Sequence, residues 1–342
     1  MRASSFVESL LVWTRSIECE ALVDKLPVVS HPGYGDVENW DPKHRFVMSK
    51  FGGMRNVIES TMHLREEVEV VEDFAPVSAS TLCLVHDRKF VEDFCEGKMD
   101  PRAMRRIGLP WSPSLVRRTL LEVQGTTIAA RLALERRLAC NAAGGTHHSF
   151  ADYGSGFTIF NDLAVTAAWL RDERLAKRVL ILDLDVHQGD GTAAIHAGNP
   201  DVMTVSVHCE SNFPFRKQQS DLDVALEDEV GDRDYLLRLS QFLPSLLADF
   251  KPDIVLYDAG VDVHADDELG KLHISDQGLF DRDVYVLRTC LAMKIPVATV
   301  IGGGYDRDHL VLAKRHAIIV QAAVACRQWT RTRLLKSNKV TN

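Results

Sequence analysis

From about Asp162 onward the chain alternates short apolar runs with stretches of helical character, and this alternation restricts the fold more than any other feature. Val179 to Leu182, Val202 to Val207, Ile254 to Tyr257 and Val297 to Ile301 read as strands. Asp162 to Leu175, Asp234 to Phe250 and Asp276 to Lys294 read as helices between them. Such strands, separated by helices, predict an α/β fold with a mostly parallel central sheet covered by helices on both faces. The first half is more helical: Ser114 to Ala139 carries apolar residues at helical spacing, and Pro113 stands just before its start. No repeat, low-complexity tract or flexible linker interrupts the 342 residues, so one large domain is expected over 26–326. Residues 1–25 are then an N-terminal extension and 327–342 a C-terminal tail.

Composition removes several functions. The net charge of −8 is spread along the chain, with no basic stripe of the kind that neutralises phosphates, so direct nucleic-acid binding is not expected. Seven cysteines without a CxxC pair suggest reduced, buried thiols in an intracellular compartment. In Met1 to Leu26 the short apolar run Phe6 to Trp13 is interrupted by Glu8, unlike a signal peptide; Arg2, Ser4, Ser5 and Arg15 suit a transit peptide while Glu8, Glu18 and Glu20 do not, which leaves that reading open. No apolar segment is expected to be long enough to span a bilayer. A cytoplasmic location is expected, with nucleus and organelle left open.

Chemistry concentrates where strands end, which is where open α/β sheets collect ligands. Asp183-Leu184-Asp185-Val186-His187-Gln188-Gly189-Asp190-Gly191 follows the first strand, and in extended backbone Asp185 and His187 leave on one face, as two ligands to one cation must. Alone, Asp-x-His reads better as a surface turn; the additional carboxylates reverse that preference. Tyr257 to Gly270 follows another strand and contains Asp258, Asp262, His264, Asp266, Asp267 and Glu268. One carboxylate from this segment would complete an Asp, His, Asp set with a position open for water, the pattern of a catalytic zinc site. Spacing does not say which one, and the bland alternative is an acidic loop.

Gly144-Gly145-Thr146-His147-His148 places two imidazoles after two glycines, and such a pair beside a metal could serve as base and acid. Gly302-Gly303-Gly304-Tyr305 would let a phenol reach over a site and donate to a developing oxyanion. Neither glycine run is followed by Gly-Lys-Ser/Thr, neither has GxGxxG spacing, and no GxSxG elbow occurs. Activated water is the chemistry that remains.

In this order and spacing, the four clusters resemble the zinc-dependent histone deacetylase family, whose fold is shared with arginase. The resemblance runs from about His31 to about Ala323 and includes Arg106-Ile107-Gly108-Leu109-Pro110-Trp111-Ser112 and Ser155-Gly156-Phe157. Gln188 and Asn212 to Lys217 are similar to the bacterial and class IV-like branch. The resemblance implies one zinc on Asp185, His187 and Asp267, the last because Asp-Glu-Leu-Gly matches the family's ligand motif, with Asp262 and Asp266 as neighbours. It implies His147 and His148 as the catalytic pair, Asp183 and Asp190 as their partners, and Tyr305 as the oxyanion donor. Gly156, Phe157 and Phe213 would line a narrow acyl-lysine channel, and a potassium ion would sit near Asp183, Asp185, His187 and Ser206.

The implied activity is hydrolysis of an N6-acyl-lysine, acetyl or longer, in a protein, or of a small acylated amine. A two-manganese ureohydrolase is the enzymatic rival, and a silent acyl-lysine-binding or scaffold protein the rival from another class. Ala225 to Val230, where relatives tend to have a Gly/Pro-rich turn, and Asp306 depart from the family pattern. Trp111 and Trp169 read as core or loop anchors, and Arg327 to Lys336 as a solvated helix end. His44 and Arg45 could bind substrate or make a structural hydrogen bond.

Overall fold

The computed structural model describes residues 24–340, with side chains placed up to 332, and the expectations for residues 1–23 lie outside that range. Eight strands form one sheet: β1 (Leu26–Val29), β2 (Val68–Val71), β3 (Leu138–Asn141), β4 (Val179–Asp183), β5 (Val202–Cys209), β6 (Leu222–Leu226), β7 (Ile254–Asp258) and β8 (Val297–Val300). Their spatial order is β2-β1-β3-β8-β7-β4-β5-β6, and every neighbouring pair is parallel. The expected α/β fold is present, with an all-parallel sheet.

Alternation divides the strand residues between two apolar layers. Ile181, Leu256 and Ala298 pack with Ala129, Ala133, Leu163 and Leu170 from the helices Pro113–Arg136 and Asp162–Asp172. Leu180, Val255 and Val297 belong to the layer holding Leu239, Leu243, Val286 and Leu287 of the helices Asp232–Phe250 and Asp276–Ala292. Burying such a side chain stabilises the fold by about 1.5–3 kcal/mol.

Local chemistry sets the boundaries. The Ser112 hydroxyl accepts from the Leu115 N–H at 3.0 Å, with Pro113 in the first turn. The helix expected to reach Ala139 stops at Arg136; Arg137 turns left-handed with φ 69° and releases the chain into β3. Leu138 and Ala139 fit the helical apolar spacing but belong to a strand. Ala225 and Leu226, expected in a loop, end the edge strand β6.

Three further expectations change. The stretch His309–Thr332 has the length and composition of a membrane span, yet 67% of its apolar 18-residue window is buried within the protein, as in the core helix of a folded domain. Arg327 is buried instead of solvated, donating to the carbonyls of Arg136 and Asp24 at 3.2 and 2.5 Å. The six cysteines among the described residues are free thiols, four buried and two, Cys83 and Cys95, half-buried.

Candidate active site

The residues after β3, β8, β7 and β4 carry the four polar clusters, and these strands are adjacent in the sheet. Glycine-histidine, glycine-tyrosine and two acidic segments, distant in sequence, therefore surround one cavity of about 410 Å³. His147, His148, Asp185, His187, Gly156, Phe157, Phe213 and Tyr305 all line it.

Asp185, His187 and Asp262 offer ligand atoms within 4.8 Å of one another, all buried, and so form a group able to hold a metal ion. His187 Nδ1 lies 3.0 Å from Asp185 Oδ1 and 3.1 Å from Asp262 Oδ2. Burial and the Asp185 charge push the Asp262 carboxyl up to about 6 against His187. Crowded buried carboxylates with one imidazole are a donor set that a cation neutralises.

Asp267, the third ligand implied by the resemblance, lies beside this group: burial and the Asp262 charge push its carboxyl up to about 7. Backbone orients the Asp267 carboxylate: Oδ1 accepts from the N–H groups of Leu269 and Gly270 at 2.8 and 2.9 Å, and Oδ2 from that of Tyr305 at 2.7 Å, which leaves lone pairs on both oxygens. It clamps two loops together. Asp266 is exposed and points to His264 and Arg315.

The tandem histidines meet separate carboxylates. His147 Nδ1 is 2.6 Å from Asp183 Oδ2, and His148 Nδ1 is 2.7 Å from Asp190 Oδ1, at the start of the helix Asp190–His196. Their rings lie 4.1 Å apart, yet their electrostatics diverge. Burial opposes charge on His147, but Asp183, Asp185 and Asp258 outweigh it and hold the imidazole well above its ordinary value. Burial and the neighbouring His147 bring His148 down to about 4 against Asp190. One ring is held as a cation and the other neutral.

The walls depend on two glycines. Gly156 has φ 54°, and a Cβ there would lie 2.8 Å from His148 Cδ2 and 3.2 Å from Phe213 Cε1. A Cβ on Gly303 would collide with the carboxylates of Asp262 and Asp185, so only glycine lets this loop pass the metal group. The Gly303 N–H donates to Asp185 Oδ2 at 2.7 Å. Tyr305 then stands with its ring 6.0 Å from that of Phe157, while Phe213 lies 4.9 Å from His148. Burial and nearby carboxylates keep the Tyr305 phenol protonated.

The cavity also reaches residues not singled out in the sequence. Lys50 is buried between the rings of Phe46 and Phe51, at 5.1 and 5.5 Å, and burial with the Arg118 charge lowers it to about 8. Arg118 makes two 2.7 Å bonds to Glu122, both buried. Asp258 is fully buried 4.0 Å from His147, and neither of its carboxyl oxygens has a hydrogen-bond partner among the described residues. Asp258 lies in the acidic segment already noted, but no spacing rule distinguishes it; Lys50, Arg118 and Glu122 look like ordinary helix residues.

Other positions resolve as supports. His44 Nε2 donates to the Gly108 carbonyl at 3.0 Å, a structural bond at the entrance, since its Nδ1 accepts from the Phe46 N–H. Gln188 pins a loop through Gln218 and Asp223 at 2.7–2.8 Å. Trp111 is a loop anchor donating to the Phe94 carbonyl at 2.8 Å, and Trp169 packs at the edge of the apolar layer.

A family model described as the histone deacetylase domain matches residues 44–321 of this chain. The chain belongs to the histone deacetylase family. It is 50% identical over 297 residues to an uncharacterized protein of Picosynechococcus sp., covering 87% of this chain and 98% of the relative. It is 31% identical over 276 residues to histone deacetylase 2 of Arabidopsis thaliana, covering 78% and 70%. The crystal structure of the HDA15 HD domain superposes with a TM-score of 0.70 over 93% of this chain and 99% of that one, at 17% identity, which shows the shared fold. This histone deacetylase domain carries buried His/Asp groups able to hold metal at the carboxyl end of its sheet.

Proposed function

We propose that this chain hydrolyses an N6-acyl-lysine amide, acetyl or longer, in a protein. The observation that carries the reading is the buried Asp185, His187 and Asp262 group facing two carboxylate-backed histidines across one cavity. Asp185, His187 and Asp267 would hold one zinc ion, with Asp262 beside them against His187. The chemistry such an ion supplies is Lewis acidity toward a carbonyl and a coordinated water whose pKa is lowered toward about 7.

His148, neutral and oriented by Asp190, takes the proton released by water and returns it to the departing amine. His147, held as a cation between Asp183 and Asp185, stabilises the negative charge that develops beside it. Tyr305 donates its phenolic O–H to that oxyanion, and Gly156, Phe157 and Phe213 hold the lysine stem between apolar walls that exclude water. A potassium ion would sit near Asp183, Asp185, His187 and Ser206; Ser206 lies opposite Asp183 in parallel register, and its hydroxyl is 3.0 Å from His208 Nδ1. The reading includes an acylated protein as substrate and the cytoplasm as the place of action.

The test is metal content together with turnover of acetyl- to long-chain acyl-lysine peptides, with Asp267→Ala as control. One zinc per chain and turnover lost in the variant are expected. Turnover no greater than that of the variant would favour a silent acyl-lysine-binding protein. His147, Asp183 and Asp258 form a second group within 4.8 Å, which gives the two-manganese ureohydrolase reading its one observation. Two manganese ions per chain would favour it.

A further inference from the structure

The mouth of the cavity carries a charge pattern that the chemistry at its floor does not use. The helix Pro101–Ile107 brings Arg105 and Arg106 to the lining, both exposed, and neither is ion-paired among the described residues. The rim that holds them is built. The Ile107 carbonyl accepts from the Phe157 N–H at 2.8 Å, and the Gly108 carbonyl accepts from His44. The Arg106 guanidinium lies 4.5 Å over the Tyr153 ring, which stacks on Phe150 at 4.5 Å. Exposed Arg45 is close enough to pull the Tyr305 pKa downward.

Acidic groups do not balance this. The carboxylates lining the cavity, Glu122 and Asp185, are buried at its floor. Beyond the mouth, Glu268 is bonded to Arg307 at 2.9 Å and Asp306 to Arg315 at 3.2 Å. Asp152, within electrostatic reach of Tyr153, is one free acid set against three arginines. The basic mouth stands out on a chain whose net charge is −8.

We propose that this mouth selects acyl-lysines set among aspartate and glutamate residues and disfavours lysine-rich segments and cationic acylated polyamines. The inference rests on the deacylase reading above. Exposed charges act on encounter and register, and each pair contributes modestly, so two or three together give a preference of about tenfold that salt screens.

The experiment uses the full zinc-loaded chain and two fluorescein-labelled acetyl-lysine peptides of equal length, one flanked by glutamates and one by lysines. Specificity constants and fluorescence anisotropy are measured in 25 mM and 300 mM salt. The acidic peptide is expected to be favoured about tenfold in low salt and about twofold in high salt. Arg105→Glu with Arg106→Glu is expected to invert the ratio, and Arg45→Glu to reduce it. Equal treatment of both peptides, preference for the basic one, or a folded double variant with the wild-type ratio overturns the inference. Acidic preference in anisotropy without turnover of either peptide would refute the deacylase reading and leave the charge selection standing; turnover without preference would do the reverse.

Discussion

Asparagine at position 262 and asparagine at position 267 should have different consequences, because Asp267 would bind the metal whereas Asp262 is bonded to His187 and to the Val186 N–H beside it. Asp267 accepts three backbone hydrogen bonds of 2.7–2.9 Å. In Asp267→Asn one oxygen can still serve Leu269 and Gly270, but an NH2 meets the Tyr305 N–H. One unsatisfied amide costs about 1–3 kcal/mol, a melting-temperature drop of roughly 2–6 °C. Asp267→Ala leaves all three amides unpaired and costs about 3–6 kcal/mol. Zinc affinity in Asp267→Asn should fall more than about 100-fold, beyond the loss typical of residues that only support ligands.

Asp262→Asn removes a charge that burial and Asp185 already push up to about 6, so the metal-free variant should melt within about 1 kcal/mol of the parent. Its zinc affinity should fall by only the roughly 10–100-fold typical of residues that support ligands. The assay is zinc titration of metal-free protein against a chromophoric chelator, with melting curves on the same samples. Zinc binding retained in Asp267→Asn and lost in Asp262→Asn would refute the assignment.

Tyr305→Phe should lower kcat about a hundredfold or more while KM stays within a few fold, which steady-state kinetics on an acetyl-lysine peptide will read; full activity would remove Tyr305 from the chemistry. Arg118→Met strands the buried Glu122 carboxylate and should destabilise by about 3–5 kcal/mol in urea unfolding, with Glu122→Gln added to it recovering part of the loss. His86 and His196, each lowered to about 4 by burial, are neutral when folded and bind protons on unfolding below about 6.5. Their contribution to stability should therefore be flat above pH 6.5 and fall as pH drops toward 4, by up to roughly 3 kcal/mol per histidine. A loss in urea midpoint from pH 7 to 4.5 that is no smaller in His196→Gln than in the parent would contradict this.

The sequence by itself determined the α/β class, the central strands β4, β5, β7 and β8, and the four clusters at strand ends. It also paired His147 with Asp183 and His148 with Asp190 through the family resemblance, and both pairs meet in the structure. Strand β3 follows directly on the helix Pro113–Arg136 and continues its apolar spacing, and β6 lies at the sheet edge with alternate residues exposed, so neither stands out as an apolar run. Only tertiary structure set Asp262 against His187 and tied Asp267 to the backbone of two loops. Along a strand, side-chain direction follows residue spacing. In the irregular loop after β7 it follows backbone turns and the amides of Leu269, Gly270 and Tyr305, two of them nearby in sequence and one from the loop after β8. Lys50, Arg118 and Glu122 reached the cavity the same way, from helices of the first half of the chain, because packing rather than any motif turned their faces inward.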